Sequence, residues 1–539
     1  MAEPTAEASR PPARAEEPAD ASPAAGAAPP GAPAAAGDGA ARRAGRGGLA
    51  IAGAKLFFIL SGFVQQIVLN RILGLNVYGT LGRVQGFGSL FYNPVVTASI
   101  QGVSRAVAQA PEAERAVATR RALVIHAWSI LPLALAFFLA APLAGLLHAP
   151  QLVTPLRIIT GVLLLYGLYA PLVGVLNGRH QFSRQAALDV LFATMRTVGL
   201  IGGAWWFVGR GLGVEAALFG FVGAAFLILL VALAWAGIGR AGAGGPSARE
   251  HLGFIGPLFA GQFALNLLFQ SDLQLLGVFA AHAAERGGLD PREADTLAGA
   301  YRNAQLFCFL PYQLLLSVTF VLFPMLAAAL RDDDRKAIAR YVRTGVRLAL
   351  VLAGLMVSVT ASLPGPLLRL VFGAESAALG AGGMRILALG LFPFAIFGIL
   401  TTVLTSLKRE TASAVLTIAA LGLVTGLCFV LVGDQPYGPG MIVRTATSTS
   451  IGLLAATLLA AWLVHRTAGA VAPVVSLLRV LLALAACVGV SLLLPAPGKL
   501  MTLVYAAAVA CLYLAILVGT RELGVADLAL VRTVLGRKK

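Results

Sequence analysis

"FALNLLFQSDLQLLGVF", Phe263 to Phe279, reads two ways at once. Its leucines, phenylalanines and valine suit hydrocarbon, yet Asn266, Gln270 and Gln274 recur every four residues and Asp272 stands among them. With Gln262 one turn earlier, the amides drift about 40° per step and so share one helical face. Asp272 points about 120° from the centre of that face. Such a run predicts a membrane helix with a polar wall, turned toward a cavity or a neighbouring helix, because a charge facing lipid costs several kcal/mol.

The whole chain fits that reading. Of 539 residues, 58% are hydrophobic and only 12% charged, and the mean hydropathy is +0.83. The apolar residues come in runs near the ~20 needed to cross ~30 Å of hydrocarbon. We count about fourteen of them, at 49–70, 80–104, 122–147, 153–177, 186–209, 213–238, 253–281, 299–329, 342–363, 384–406, 411–433, 441–465, 474–495 and 501–519. The expected class is an all-α polytopic membrane protein. A membrane β-barrel is excluded, since it alternates polar and apolar residues in segments of about 10. The net charge of +17 sits in loops and shows no basic stripe interleaved with aromatics, so nucleic acid is not an expected partner. Cys308, Cys428, Cys487 and Cys511 form no CxxC pair, and neither disulfide nor metal site is expected. His126, His148 and His465 stand apart in sequence and read as interfacial or packing residues.

Residues 1–48, rich in alanine, proline and glycine, read as a disordered cytoplasmic tail. A six-helix bundle at 49–238 and a second at 253–465 follow, joined by a glycine- and proline-rich cytoplasmic linker at 239–252. Two extra helices at 474–519 and a basic tail at 520–539 complete the chain. An even number of spans puts both termini on one side. Arg105, Arg115, Arg120, Arg121, Arg331, Arg335 and Lys336 mark that side as cytoplasmic. "RDDDRKAIARYVR" (Arg331–Arg343) reads as a solvated cytoplasmic helix. The longest external connections, after spans seven and nine, are roughly 15–20 residues, too short for a catalytic domain.

The halves open alike. Span one carries Gln65, Gln66 and Asn70, and span seven carries Gln262, Asn266 and Gln270. Gly79 precedes Arg83 and Gln85 as Gly299 precedes Arg302 and Gln305. Two six-span halves of the same direction imply a pseudo-two-fold axis along the membrane normal and a cleft between bundles.

"RILGLNVYG", "LNGRHQF" and "SDLQLLGVF…AGAYRNAQ" resemble the polysaccharide-export and oligosaccharide-lipid flippases of the multidrug, oligosaccharidyl-lipid and polysaccharide exporter superfamily. The resemblance spans roughly 49–470. It implies two lobes around a cavity open alternately to each side of the bacterial inner membrane, and a substrate of sugars on undecaprenyl pyrophosphate. It also implies membrane lipid, a polysaccharide polymerase and a co-polymerase as partners, and a monomer as the working unit. No catalytic residue and no cofactor is expected.

Arginine suits phosphate because its planar fork donates two parallel hydrogen bonds and stays charged. Arg196 lies mid-span, and its alternatives are a substrate cation or an interhelix ion pair. Asp189 shares its face but is about 10 Å away along the helix. Arg83 and Arg302 begin the second helix of each half, where related lipid II flippases carry cavity arginines; the alternative is snorkelling to the interface. Gln65, Gln66, Gln262, Asn266 and Gln270 offer donors and acceptors matching sugar hydroxyls, or interhelix hydrogen bonds. In span one, Gln65 and Gln66 replace the charges of lipid II flippases. Asp272 has three readings: neutralising an arginine such as Arg302, binding a coupling proton or sodium ion, or making a polar helix contact. Competing functions are a cation-coupled drug exporter, with a cavity of carboxylates and aromatics, a lipid II flippase, and a membrane polymerase or ligase.

Overall fold

A computed structural model describes residues 38–146, 148–471, 473–495 and 497–524. Among them every regular element is a helix. Besides three short 3-10 turns, the α-helices in chain order are α1 (Asp38–Leu73), α2 (Leu75–Gln109), α3 (Arg115–Ala140), α4 (Leu143–Leu146), α5 (Val153–Gly178), α6 (Phe182–Phe207) and α7 (Gly213–Ala236). The second half holds α8 (Ala248–Arg286), α9 (Ala294–Cys308), α10 (Leu310–Arg331), α11 (Arg335–Ser362), α12 (Pro364–Phe372), α13 (Ala374–Ser406), α14 (Glu410–Val432) and α15 (Pro439–Ala468). Then come α16 (Val474–Leu493) and α17 (Lys499–Gly519).

Each of the fourteen expected runs falls on helix. Twelve helices among the described residues are long and apolar enough to cross a membrane, and α2, α9 and α10 are not among them. The eighth run is broken at Phe309, which caps α9 immediately before Leu310 and Pro311 open α10. Proline there lacks the N–H that would continue the ladder, and its ring crowds the carbonyl one turn back. The expected external loops are shorter than the sequence suggested. α8 runs on to Arg286 and α9 starts at Ala294, while α12 and the first turns of α13 occupy the stretch after span nine. Helix formation there satisfies the backbone where the chain leaves hydrocarbon. The tail expected at 1–48 also ends early, since Asp38 already begins α1; residues 1–37 and the basic tail from 525 onward lie outside the described residues.

Buried apolar side chains gather in one group within α8–α17, joined by Leu75, and a second group within α1–α7. The α1–α2 corner turns on the single residue Gly74, at φ 76°, a left-handed value that favours glycine. α8 starts on a serine N-cap: the Ser247 side chain accepts the Glu250 N–H. From that start α8 runs antiparallel along α2. Gly102 meets Ile255, Asn93 meets Asn266, and Gly86 meets Gln270 and Gln274. The bundle therefore has an α1–α2 end and an α2–α3 end, with the two halves meeting along α2, α8 and α9.

Candidate functional site

Between the halves lies a chamber of about 460 Å³, with a second of about 270 Å³ beside it. They share Gln66, Gln270, Arg302 and Gln313. The charged residues on the larger chamber are Lys55, Arg196, Arg302 and Asp189. Asp189 is already answered, its carboxylate 3.1 Å from Lys55 Nζ. Arg196 donates from Nε to Gln65 Oε1 at 3.2 Å and stacks 4.4 Å above the Phe58 ring. Arg302 reaches Gln85 Oε1 at 3.5 Å, and its Nε is buried without a partner. Neither arginine has a carboxylate partner among the described residues. Glycine makes this arrangement possible: a Cβ at Gly82 would sit 2.5 Å from Arg302 Cδ, and one at Gly86 would lie 2.9 Å from Gln270 Oε1. Tyr92, Tyr166, Tyr169, Phe192 and Phe221 line the same chamber.

Toward the α1–α2 end the chamber is sealed by polar contacts across the halves. Arg83 Nη1 lies 2.7 Å from Asp295 Oδ1, with both side chains 1% exposed. Thr80 and Gln151 donate to Asp295 Oδ2 at 2.8 and 3.0 Å. Asn76 donates to the Arg292 carbonyl and to Thr296 Oγ1, each at 2.9 Å. The helices are nearly in backbone contact here. A Cβ at Gly79 would strike the Asp295 carbonyl, and one at Gly299 the Leu75 carbonyl. These are the two glycines matched between the halves. Arg71, just before the corner, donates to the Val371 carbonyl at 3.2 Å.

Asp272 is 2% exposed and joins three helices. It accepts from Tyr301 Oη at 2.6 Å, Gln305 Nε2 at 3.0 Å, Thr449 Oγ1 at 3.1 Å and its neighbour's Leu273 N–H at 2.7 Å. Four donors surround a carboxylate with no cation beside it, which is a sufficient hydrogen-bonding shell for a buried acid.

The polysaccharide biosynthesis protein family matches residues 44–330, more than half of the chain. The chain belongs to that family. The MatE family matches residues 293–430 of the chain. Its fold is similar to that of a lipid II flippase, MurJ, in an inward closed conformation, at a TM-score of 0.71 and 15% identity over 88% of this chain and 99% of that one. A multidrug resistance MATE transporter in an inward-facing conformation follows at 0.61 and 15%, over 80% and 95%. A MOP superfamily transporter from Pyrococcus furiosus aligns at 0.55 and 14%, over 81% and 95%. No curated protein matches the chain. The likeness establishes the flippase and MATE fold for this membrane protein.

Against the expected site the placement is mixed. Arg196, Arg302, Gln65, Gln66, Gln270 and Asp189 line the larger chamber. Arg83 does not: it lies in the seam, its guanidinium over the α8 backbone, where a Cβ at Gly277 would come within 2.5 Å of its Nε. The amide stripe divides in the same way. Asn266 accepts from Asn93 Nδ2 at 2.8 Å, Gln274 donates to the Arg83 carbonyl at 3.0 Å, and Gln262 receives the Asn266 amide on its own carbonyl at 2.8 Å. Only Gln270 of the stripe reaches the chamber. Of the three readings of Asp272, the arrangement is a polar helix contact, with hydroxyls and an amide in place of Arg302, and Asp189 is paired with Lys55. The sequence reading missed Lys55, Asp295 and the tyrosine wall. Lys55 had a visible signal, as a charge inside the first apolar run.

Proposed function

We propose that this protein flips undecaprenyl-pyrophosphate-linked oligosaccharide across the bacterial inner membrane, by alternating access of the central chamber and with both termini in the cytoplasm. The observation that carries the reading is the excess of unpaired positive charge: Arg196 and Arg302 face the chamber without carboxylates, while its one acid is spent on Lys55. Two guanidiniums on one chamber fit a diphosphate, which accepts paired hydrogen bonds from each fork. Gln65, Gln66, Gln85 and Gln270 supply donors and acceptors for sugar hydroxyls. Tyr92, Tyr166 and Tyr169 offer flat apolar faces with polar tips. Flipping breaks no covalent bond, so no catalytic group is required. Under this reading Asp272 is the carboxylate that would hold a coupling proton or sodium ion, and membrane lipid, a polymerase and a co-polymerase are the partners of a monomer.

The aromatic wall favours the second reading, a cation-coupled drug exporter. The scarcity of free carboxylates opposes it, because a cationic drug would meet two uncompensated arginines. The deciding experiment is Arg196→Ala and Arg302→Ala in cells that make a surface polysaccharide. Each variant should lower polymer output at least tenfold while lipid-linked sugar accumulates on the cytoplasmic face. Normal output from both, or a wild-type protein that instead lowers accumulation of a cationic dye, would overturn the proposal.

A further inference from the structure

His126 and His251 are 125 residues apart, and the fold puts them in contact. Their Nε2 atoms are 3.1 Å apart, with the rings at 89° to one another. The other nitrogen of His126, Nδ1, lies 3.2 Å from Ser99 Oγ on α2. The two histidines are 6% and 4% exposed. His126 belongs to α3 and His251 to the first turn of α8, so the bond ties the first half to the second at the α2–α3 end. The halves are close here. A Cβ at Gly102 would be 2.6 Å from Ile255 Cγ1, and the Arg105 guanidinium covers the Phe254 ring at 4.3 Å.

We infer that this histidine pair is a proton-binding site whose filling unfastens the halves at the α2–α3 end. In contact, one Nε2 carries a hydrogen and the other accepts it. One added proton leaves that bond in place, as an imidazolium donating to an imidazole. A second added proton sets N–H against N–H and two positive charges face to face in a site closed to water, and the bond can no longer exist. Once separated and solvated, both rings take protons near pH ~6.5. The open form therefore binds at least one proton more than the fastened form, and acid favours it. The open-to-fastened ratio should rise about tenfold per pH unit below ~6.5 for one extra proton, and up to ~100-fold where the fastened pair holds none.

Few other charges face the pair. Glu250 precedes His251, and Arg105 is the nearby cation of α2. α5 meets α3 through Gly167 on Ile130, both uncharged. α9, α14 and α15 meet α8 further along, at Asp272 and at Phe279 on Phe429. The opposite end is fastened by the ion pair of Arg83 with Asp295 and by the contact of His148 with Glu285 at 2.9 Å, with His282 beside His148. The inference is independent of the substrate: it concerns which end opens, and would hold for a drug exporter as well.

The test measures distance between spin labels at Arg120→Cys and Arg249→Cys, both exposed positions at this end. It uses the full chain in lipid nanodiscs from pH 8 to pH 5. Cys511→Ser removes the exposed native thiol, while Cys308, Cys428 and Cys487 are buried. Wild type should show one short distance at pH 8 and a longer one that grows several-fold per unit below pH 6.5. His126→Gln with His251→Gln keeps a neutral contact and should give the same distances at both extremes. His251→Gln alone leaves one ring, whose charging in the closed site still costs desolvation, so it should keep at most a one-proton response, shallower than that of wild type. His148 and Glu285 are intact in all three. A wild-type profile that does not change with pH would overturn the inference without any variant at the pair. So would an acid response that persists in the double glutamine variant, or one of undiminished steepness in His251→Gln alone.

Discussion

Asp295→Asn tests the seam at the α1–α2 end. Arg83 and Asp295 meet at 2.7 Å with both side chains 1% exposed, and two guanidinium nitrogens of Arg83, Nε and Nη2, have no other partner. When the halves part at this end, both residues face water and the pair ceases to matter. Its loss is therefore felt by the closed arrangement alone. Neutralising one member of a fully buried pair costs about 3–5 kcal/mol, because the other charge is left uncompensated. Even the lower figure changes an equilibrium by more than ~100-fold. A reporter is available at Ala298, 0% exposed on α9 about one turn from Asp295. With Ala298→Cys in a Cys511→Ser background, the rate of maleimide labelling follows the open population. Asp295→Asn should raise that rate about 100-fold, up to the limit set by a fully open protein. Arg83→Met with Asp295→Leu removes both charges and should return it most of the way, since apolar replacement of a buried pair is often neutral. Labelling that stays within about threefold of the parent in a folded Asp295→Asn protein would refute the argument, as would a double variant as reactive as the single one.

Two further outcomes follow from the same geometry. Asp272→Asn places an amide N–H among groups that all donate, so the folded protein should lose about 1–3 kcal/mol; an unchanged melting temperature in detergent would mean that the shell around Asp272 rearranges freely. Glu522, just past α17, binds Arg347 Nε at 2.7 Å and Arg479 Nη1 at 3.0 Å. Burial acts to raise its pKa, but hydrogen bonds from Ser476, Arg347 and Arg479 outweigh it and hold the carboxyl below the usual glutamate range. Its contribution is thus complete above ~4.3 and lost as pH falls through the lowered value. Glu522→Gln should cost about 1–2 kcal/mol at pH 7, less than a fully enclosed pair because both arginines are one-third exposed. The gap to wild type should close in acid, and a gap constant from pH 7 to pH 3 would count against the ion-pair account.

Legibility followed the physics of hydrocarbon. Arg196 and Arg302 could be picked out because a cation inside an apolar run must find a cavity or a partner, and both lie on the chamber. Arg83 obeyed the same rule in the other way, through a partner. Asp295 was invisible because it stands where the sequence suggested an external loop, and only the helical extension of α8 and the early start of α9 carry it beneath Arg83. Asn266, Gln270 and Gln274 all meet α2 from one side of α8. Which of them also reached the chamber depended on Gly82 and Gly86, on a different helix.

By itself the sequence determined that the protein is a bundle of membrane helices with a few costly polar groups held away from lipid, because hydropathy and backbone satisfaction are properties of each segment alone. The tertiary structure decided what those groups do. Whether an arginine is latch or cavity wall, and whether a lone histidine has a second one against it, depends on which helices cross and at which glycine, and segments distant in sequence settle that only when they pack.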